Sequence, residues 1–269
     1  MSHTVADLKK HLKVIRRLWA ISIQKSLSFR WQFVTDLLDE SVSVALSLLM
    51  FDIAYDHAPT IGGWSQHQAI LLIGVFQIHS VIQNVFFMPS LTLISRTVFT
   101  GKLDGLLLRP VSTRLMLSFR EIRTMGLLRL LPGFAVVGYA LEALRHTPGL
   151  LDLLVAGALF TTGIAVVYAM WFASLTIEFW IEGLWSMEEL IPNVFYFGQY
   201  PDGIYSGVTR TLFLTGLPVI VIANFPTHAL LGNWTLDMVV HAFGLAIVMM
   251  FLCHLQWKIS LRRYSSASS

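Results

Sequence analysis

The lysines and arginines of this chain stand in three blocks with long apolar stretches between them, and that spacing constrains the fold more than any motif does. Of the 19 basic residues, seven lie between Lys9 and Arg30, seven between Arg96 and Arg129 and three between Lys258 and Arg263, leaving only Arg145 and Arg210 elsewhere. In a membrane protein such blocks stay on the cytoplasmic side, so an even number of spans separates each from the next. The composition is that of a membrane chain: 55% of the 269 residues are hydrophobic and 13% charged, where a soluble domain carries about a quarter charged. The formal charge of +3 is therefore a topology signal, and no nucleic-acid partner is implied.

A hydrocarbon core of roughly 30 Å takes about 20 apolar residues per helix, and six helices fit the arithmetic. Spans are predicted over 33–55, 69–94, 125–144, 150–175 and 236–257. The loop 56–68 has no Lys or Arg and belongs outside. Between 177 and 232 the pattern is less sharp. Segments 184–200 and 204–225 are both apolar, and Pro192, Pro201, Pro218 and Pro226, with Gly198, Gly203, Gly207 and Gly216, interrupt them. One of the two crosses and the other forms a half-membrane or surface hairpin, because irregular backbone survives at membrane depth only against protein or water.

The expected architecture is an all-α integral membrane protein with six transmembrane helices. An N-terminal amphipathic interface helix occupies 1–31. A membrane domain over 32–258 carries a cytoplasmic loop at 96–124 and an outer hairpin at about 201–232, and a disordered tail covers 259–269. In the first element Val5, Leu8, Leu12, Ile15 and Trp19 share one face, with Lys9, Lys10, Lys13, Arg16 and Arg17 around the rest, the pattern of a helix lying in the headgroup region. It lacks the apolar core and cleavage site of a secretory signal.

Several chemistries are excluded. Thr100-Gly101-Lys102-Leu103 fails as a phosphate-binding loop, since Arg96 stands where its first glycine belongs and Leu103 where the magnesium-holding hydroxyl belongs. His57 and His67 have no acidic or thiol companion at metal-site spacing. Cys253 is the single cysteine, so neither an intrachain disulfide nor a thiolate cluster can form. Tyr205-Ser206-Gly207 lacks the flanking glycine of a nucleophile elbow. No catalytic, cofactor-binding or metal-ligating residue is assigned to this chain.

What remains is polarity at membrane depth, which must face protein or water. Gln77, Ser80 and Asn84 follow helical spacing on the second span, with Gln83 adjoining and His79 on a neighbouring face. They form either contacts between helices or subunits, or part of a substrate path. Asp36, Asp39 and Glu40 lie in the first turns of the first span, with Asp36 and Glu40 on one face, and are expected to pair with basic residues of the flanking loops. Glu178 and Glu182 stand beside Trp180 and Trp185 as part of an aromatic belt. Gly157, Ala158, Thr161, Thr162, Gly163 and Ala165 crowd the fourth span with small residues suited to close helix packing.

The run Gly101-Lys102-Leu103-Asp104 through Leu107-Leu108-Arg109-Pro110-Val111-Ser112 resembles the G-x-L-D-x-L-L-L-R-P-V-S signature of ABC-2-type permeases of the viologen-exporter-like branch. Gln199-Tyr200-Pro201, Ile204-Tyr205, Arg210, Pro218, Asn224-Phe225-Pro226 and Leu230-Leu231-Gly232 are similar to that family's second block. The chain departs from it at Asp202-Gly203 and Ser206, where the family has Leu-Ser and a second proline. The resemblance implies a permease in the cytoplasmic membrane of a bacterium, with both termini cytoplasmic. It also implies a re-entrant outer hairpin containing Pro201, Tyr205, Pro218 and Pro226, which favours a fifth span at 184–200. Partners would be a separate ABC ATPase, a second permease chain, unlike this one or a copy of it, and the bilayer.

On that resemblance Gly101, Leu103, Asp104, Leu107, Arg109 and Pro110 are the ATPase-coupling residues. Leu103, Leu106 and Leu107 would be offered to an apolar groove, while Asp104 and Arg109 set the register. ATP and magnesium would belong to the partner, and this chain would hold no cofactor. The substrate implied is an amphiphilic small molecule, cationic species among them, or a lipid-like one. The competing class is an ion-coupled secondary transporter or channel, which would show charges at mid-depth and internal repeats. A membrane-embedded enzyme would need a nucleophile and base, which the sequence lacks.

Overall fold

The computed structural model describes residues 14–24, 31–109, 111–177 and 192–263. Its first helices are α1 (14–24), α2 (Gln32–Asp56), α3 (Gln66–Phe86), α4 (Met88–Leu91), α5 (Leu93–Phe99), α6 (Lys102–Leu107) and α7 (Thr113–Phe119). A 3-10 turn, Thr124–Arg129, leads into α8 (Leu130–Ala143), followed by α9 (Leu150–Ile177), α10 (192–195), α11 (Gly207–Thr211), α12 (Val219–Leu230) and α13 (Leu236–Arg263). Among the described residues there is no β-strand beyond a single bridge, Ile61 to Trp64.

Among the described residues four helices are long and apolar enough to cross a bilayer: α3, the turn with α8, α9 and α13. A fifth crossing arises only if 207–216 and α12, which meet at 87°, count as one broken span rather than a re-entrant loop. The six-span expectation is therefore met in part. Helix α2 has the length, at 25 residues, but Asp36, Asp39, Glu40, Asp52 and Asp56 dilute its apolar character. Of the predicted span 184–200, residues 184–191 lie outside the described residues, as do Glu178, Glu182, Trp180 and Trp185. The remainder is α10 and a 3-10 turn, Tyr196–Gln199.

The second span stops earlier than its hydropathy suggests. Ser65 and Gln68 form a capping box at its start, but Phe87 and Pro89 break it after Phe86, because Pro89 has no N–H to continue the ladder. The chain then turns through α4, α5, α6 and α7, a string of short helices at the basic end. The last span runs farther than expected, to Arg263, so part of the predicted disordered tail is helix. Residues 264–269 and the predicted interfacial residues Val5, Leu8 and Leu12 lie outside the described residues. In α1, Ile15 and Trp19 are half-buried and Arg16 and Arg17 exposed; Trp19 Nε1 donates to Phe119 O at 3.1 Å.

The long helices pack in two groups, α2 and α8 on α3, and α12 and α13 on α9, with α12 also against α3. Helices α3 and α8 meet at glycines. A Cβ on Gly74 would come 2.8 Å from Val137 Cγ2, and one on Gly133 would come 2.9 Å from Ile78 Cγ1, so only hydrogen at both sites lets α3 and α8 close. The small residues of α9 divide: Gly157 meets nothing within 4 Å, whereas Gly163 faces His79 and the Ile222 backbone. A single core of Leu91, Ile94, Leu103, Met116, Phe172 and Trp257 ties the short helices to α9 and α13.

Candidate functional site

Helix α6 is the first candidate. Gly101 has a φ of +67°, a left-handed conformation that glycine adopts without strain, and this turns the chain sharply from α5 into α6. Leu103 is 0% and Leu106 7% exposed, both inside the shared core. Asp104 is half-buried in the first helical turn, where a carboxylate meets the positive end of the helix. Leu107 is 41% and Leu108 87% exposed, and Arg109 is exposed. The leucines thus have two jobs. Leu103 and Leu106 face inward and cannot be offered to a groove on another protein, while Leu107, Leu108 and Arg109 face out. Pro110 lies outside the described residues.

From α7, which follows α6 after a short turn, Arg114 reaches into the crevice between α9 and α13. Its Nε donates to Tyr168 Oη at 3.4 Å and its Nη2 to Cys253 Sγ at 3.2 Å. The guanidinium carbon lies 5.6 Å from the Tyr168 ring centroid and 5.0 Å from that of Phe172. Ser118, one turn on, bonds Tyr168 Oη at 2.7 Å and donates to Arg114 O at 2.8 Å.

The predicted polar stripe separates into two functions. Gln77 donates to Glu40 Oε1 at 2.7 Å, and Arg129 Nε donates to Glu40 Oε2 at 2.6 Å, its Nη2 contacting the same oxygen. Glu40 thus finds its basic partner in Arg129, inside the predicted third span rather than in a loop flanking the first, and joins α2, α3 and the start of α8. Gln83 donates to Ile164 O at 3.3 Å. Ser80 and Asn84 bond within their own helix, Asn84 Nδ2 donating to Ser80 O at 3.0 Å. These two, with Gln83, line a cavity of about 120 Å³ whose other walls include Phe76, Trp171 and Phe195. The neighbouring His79 is 2% exposed, and its Nε2 has no hydrogen-bond partner among the described residues. It lies 3.2 Å from where a Cβ on Gly163 would stand, as does Ile222 O, a carbonyl whose usual helical donor is replaced by Pro226.

At the opposite end the predicted hairpin residues are buried: Pro201, Tyr205, Pro218 and Pro226. Tyr205 Oη donates to Phe197 O at 2.7 Å, and its ring meets Phe213 edge-on at 4.8 Å. Pro218 marks the bend before α12, and Pro226 sits inside α12. Their centre is Asp202, a residue where the sequence departs from the family pattern. Trp64 Nε1 donates to Asp202 Oδ1 at 3.0 Å, His228 Nε2 lies 3.4 Å from the same oxygen, and Arg210 Nη2 lies 3.6 Å from Oδ2. Asn224, 0% exposed, accepts from Asp202 N at 2.8 Å and donates to Gly198 O and Tyr200 O at 3.3 and 3.2 Å. Sequence reasoning missed Asp202, although a carboxylate with Arg210 and His228 within reach along an apolar stretch was a readable signal.

Burial alone would push the Asp202 carboxyl up, but the hydrogen bond and charge of His228, the Trp64 indole and Arg210 outweigh it and hold the group below its usual range. A depressed folded value gives stability that is present above the unfolded value and lost as pH falls through the folded one. Thermal unfolding of purified protein is therefore expected to gain an acid-dependent loss below about pH 4 that Asp202→Asn removes. Parallel pH curves for the two proteins in that window would contradict the assignment.

A sequence model of the family described as ABC-2 family transporter protein matches residues 42–268. No curated protein and no solved structure matches the chain.

Proposed function

Because the chain belongs to the ABC-2 family of transporter proteins, a multi-pass membrane permease of an ABC transporter, we propose that it couples to a separate ATPase through residues 101–111. The observation that carries this reading is the two-sided α6. Leu103 and Leu106 seat the helix on the permease, while Leu107, Leu108 and Arg109 are left outward at the basic end. An apolar pair beside a cation at a helix end suits a groove with an apolar floor and an acidic rim. Asp104 and Gly101 shape the helix that presents them.

On this reading the basic end is cytoplasmic, the membrane is the bacterial cytoplasmic one, and ATP and magnesium are held by the partner. The segment 201–232 is the re-entrant outer hairpin, with α12 buried in the protein and 207–216 largely exposed before it. The permease pairs with a second permease chain to export an amphiphilic, cationic or lipid-like molecule. Gln77 belongs to the scaffold, and Ser80, Gln83 and Asn84 line the path or the contact with that second chain.

The test is co-purification followed by ATP hydrolysis. Full burial of a leucine stabilises a contact by about 1.5–3 kcal/mol, so Leu107→Ser with Leu108→Ser is expected to weaken ATPase capture about a hundredfold. Asp104→Ala and Arg109→Ala should leave the permease folded but lower transport-stimulated hydrolysis. Normal capture and normal stimulation in all three variants would remove this loop from the mechanism.

A further inference from the structure

We propose that Arg114 is the positioning residue through which movement of the docked α6 segment reaches α9 and α13; this rests on the docking reading above. The short helices form a connected unit at the basic end. Helix α4 packs on α7 and α5 on α6. Ser90 Oγ donates to Glu121 O at 2.9 Å and accepts from Glu121 N at 2.8 Å, bracing the chain beyond α7 against α4. A load on Leu107 and Leu108 therefore arrives at Thr113–Phe119 with few joints between.

Arg114 is where that helix enters the space between the two longest helices of the protein, each of 28 residues. Tyr168 and Phe172 belong to α9 and Cys253 to α13, so one guanidinium touches both. Among the described residues its partners are neutral: a phenol, a thiol and two ring faces. This is the chemical opposite of the Glu40–Arg129 contact. A buried ion pair resists separation because each charge is left uncompensated. A planar, weakly hydrated guanidinium over aromatic faces can slide while keeping much of its attraction. The first arrangement fixes geometry, and the second transmits a displacement without breaking. Lysine cannot substitute fully, since a single ammonium does not serve two ring faces and two acceptors in one plane.

Cys253 supplies the readout. It is the single cysteine of the chain, 2% exposed, with Arg114 Nη2 on its sulfur. Its alkylation by N-ethylmaleimide is measured in the purified chain alone and in the complex with its ATPase, with and without ATP plus vanadate. In the chain alone, Arg114→Gln is expected to speed alkylation at least fivefold. In the complex, ATP plus vanadate should change the wild-type rate severalfold. Arg114→Gln should abolish that change while ATPase capture stays within twofold of wild type, and Arg114→Lys should keep less than half of it.

A wild-type rate indifferent to nucleotide while ATP is hydrolysed overturns the proposal, as does an Arg114→Gln complex that keeps the full nucleotide response. If Arg114→Gln fails to fold, the wild-type and Arg114→Lys measurements still decide. Failure to capture an ATPase at all defeats the docking reading and this proposal with it. An unchanged alkylation rate for Arg114→Gln in the chain alone defeats the Arg114 contact by itself.

Discussion

Arg129→Met is expected to lower the stability of the purified protein by about 3–5 kcal/mol, the usual cost of leaving a buried charge without its partner. For a chain of this size that is a fall of about 10 °C in the unfolding midpoint. The loss should be large because Glu40 is 4% exposed and both of its oxygens are committed, Oε1 to Gln77 and Oε2 to Arg129. Adding Glu40→Gln should restore a substantial part of the midpoint, since removing both charges leaves no uncompensated carboxylate. By contrast, Gln66→Ala breaks an exposed hydrogen bond to Asp52, and its cost should stay under about 1.5 kcal/mol. A single Arg129→Met variant as stable as the parent, or no better when paired with Glu40→Gln, would show that the contact does not bind α2 to its neighbours.

Gly203→Ala is expected to open the end of the protein opposite the basic one. A Cβ at Gly203 would stand 1.9 Å from Gly62 O, and one at Gly62 would stand 2.7 Å from Ile204 N, so the two backbones approach as only glycines allow. Any retreat pulls on the hydrogen bond that Trp64 donates to the adjoining Asp202. The variant should cleave at least tenfold faster with proteinase K within the loop 57–65 and lose several degrees of midpoint. Gly207→Ala is the control. Its φ is +53° but nothing lies within 4 Å of an added Cβ, so it bears only the left-handed penalty of about 1–2 kcal/mol. Equal cleavage rates in the two variants would sink the idea that backbone contact, rather than turn freedom, explains Gly203.

Elements governed by long hydropathy runs were legible: α3, α9 and α13 fall where apolar length predicts, one basic block follows α3 and another closes α13. The breaks were not, because Phe87-Met88-Pro89 interrupts a run that stays apolar through Ile94, and hydropathy averages over a proline. Helix α6 was legible as a motif, but spacing could not tell which leucines face inward. That depends on the curvature of α4 through α7 around α9, and it turned Leu103 from a contact residue into an anchor. Arg114 and Arg129 read as topology charges because a basic loop needs no partner to make sense. Only the fold brings Glu40, 89 positions away, and Cys253, 139 away, to their guanidinium groups. Asp202 was hidden because it stands out in the sequence only as a departure from a family pattern, while the fold brings Trp64, Arg210 and His228 to its carboxylate.

Helices α9 and α13 are joined differently at their two ends. Trp234 Nε1 donates to Asp152 Oδ1 at 2.9 Å where both begin, and at the far end Gln256 donates to Ala173 O at 2.7 Å beside the Arg114 crevice. A helix of 28 residues is about 42 Å long. For a rod of that length, a displacement of about 2 Å at one end with the other fixed corresponds to a tilt of about 3°. Taken about the Asp152–Trp234 contact, the same displacement would carry Val167 and Trp171, which wall the polar cavity, by about 1.2 and 1.5 Å.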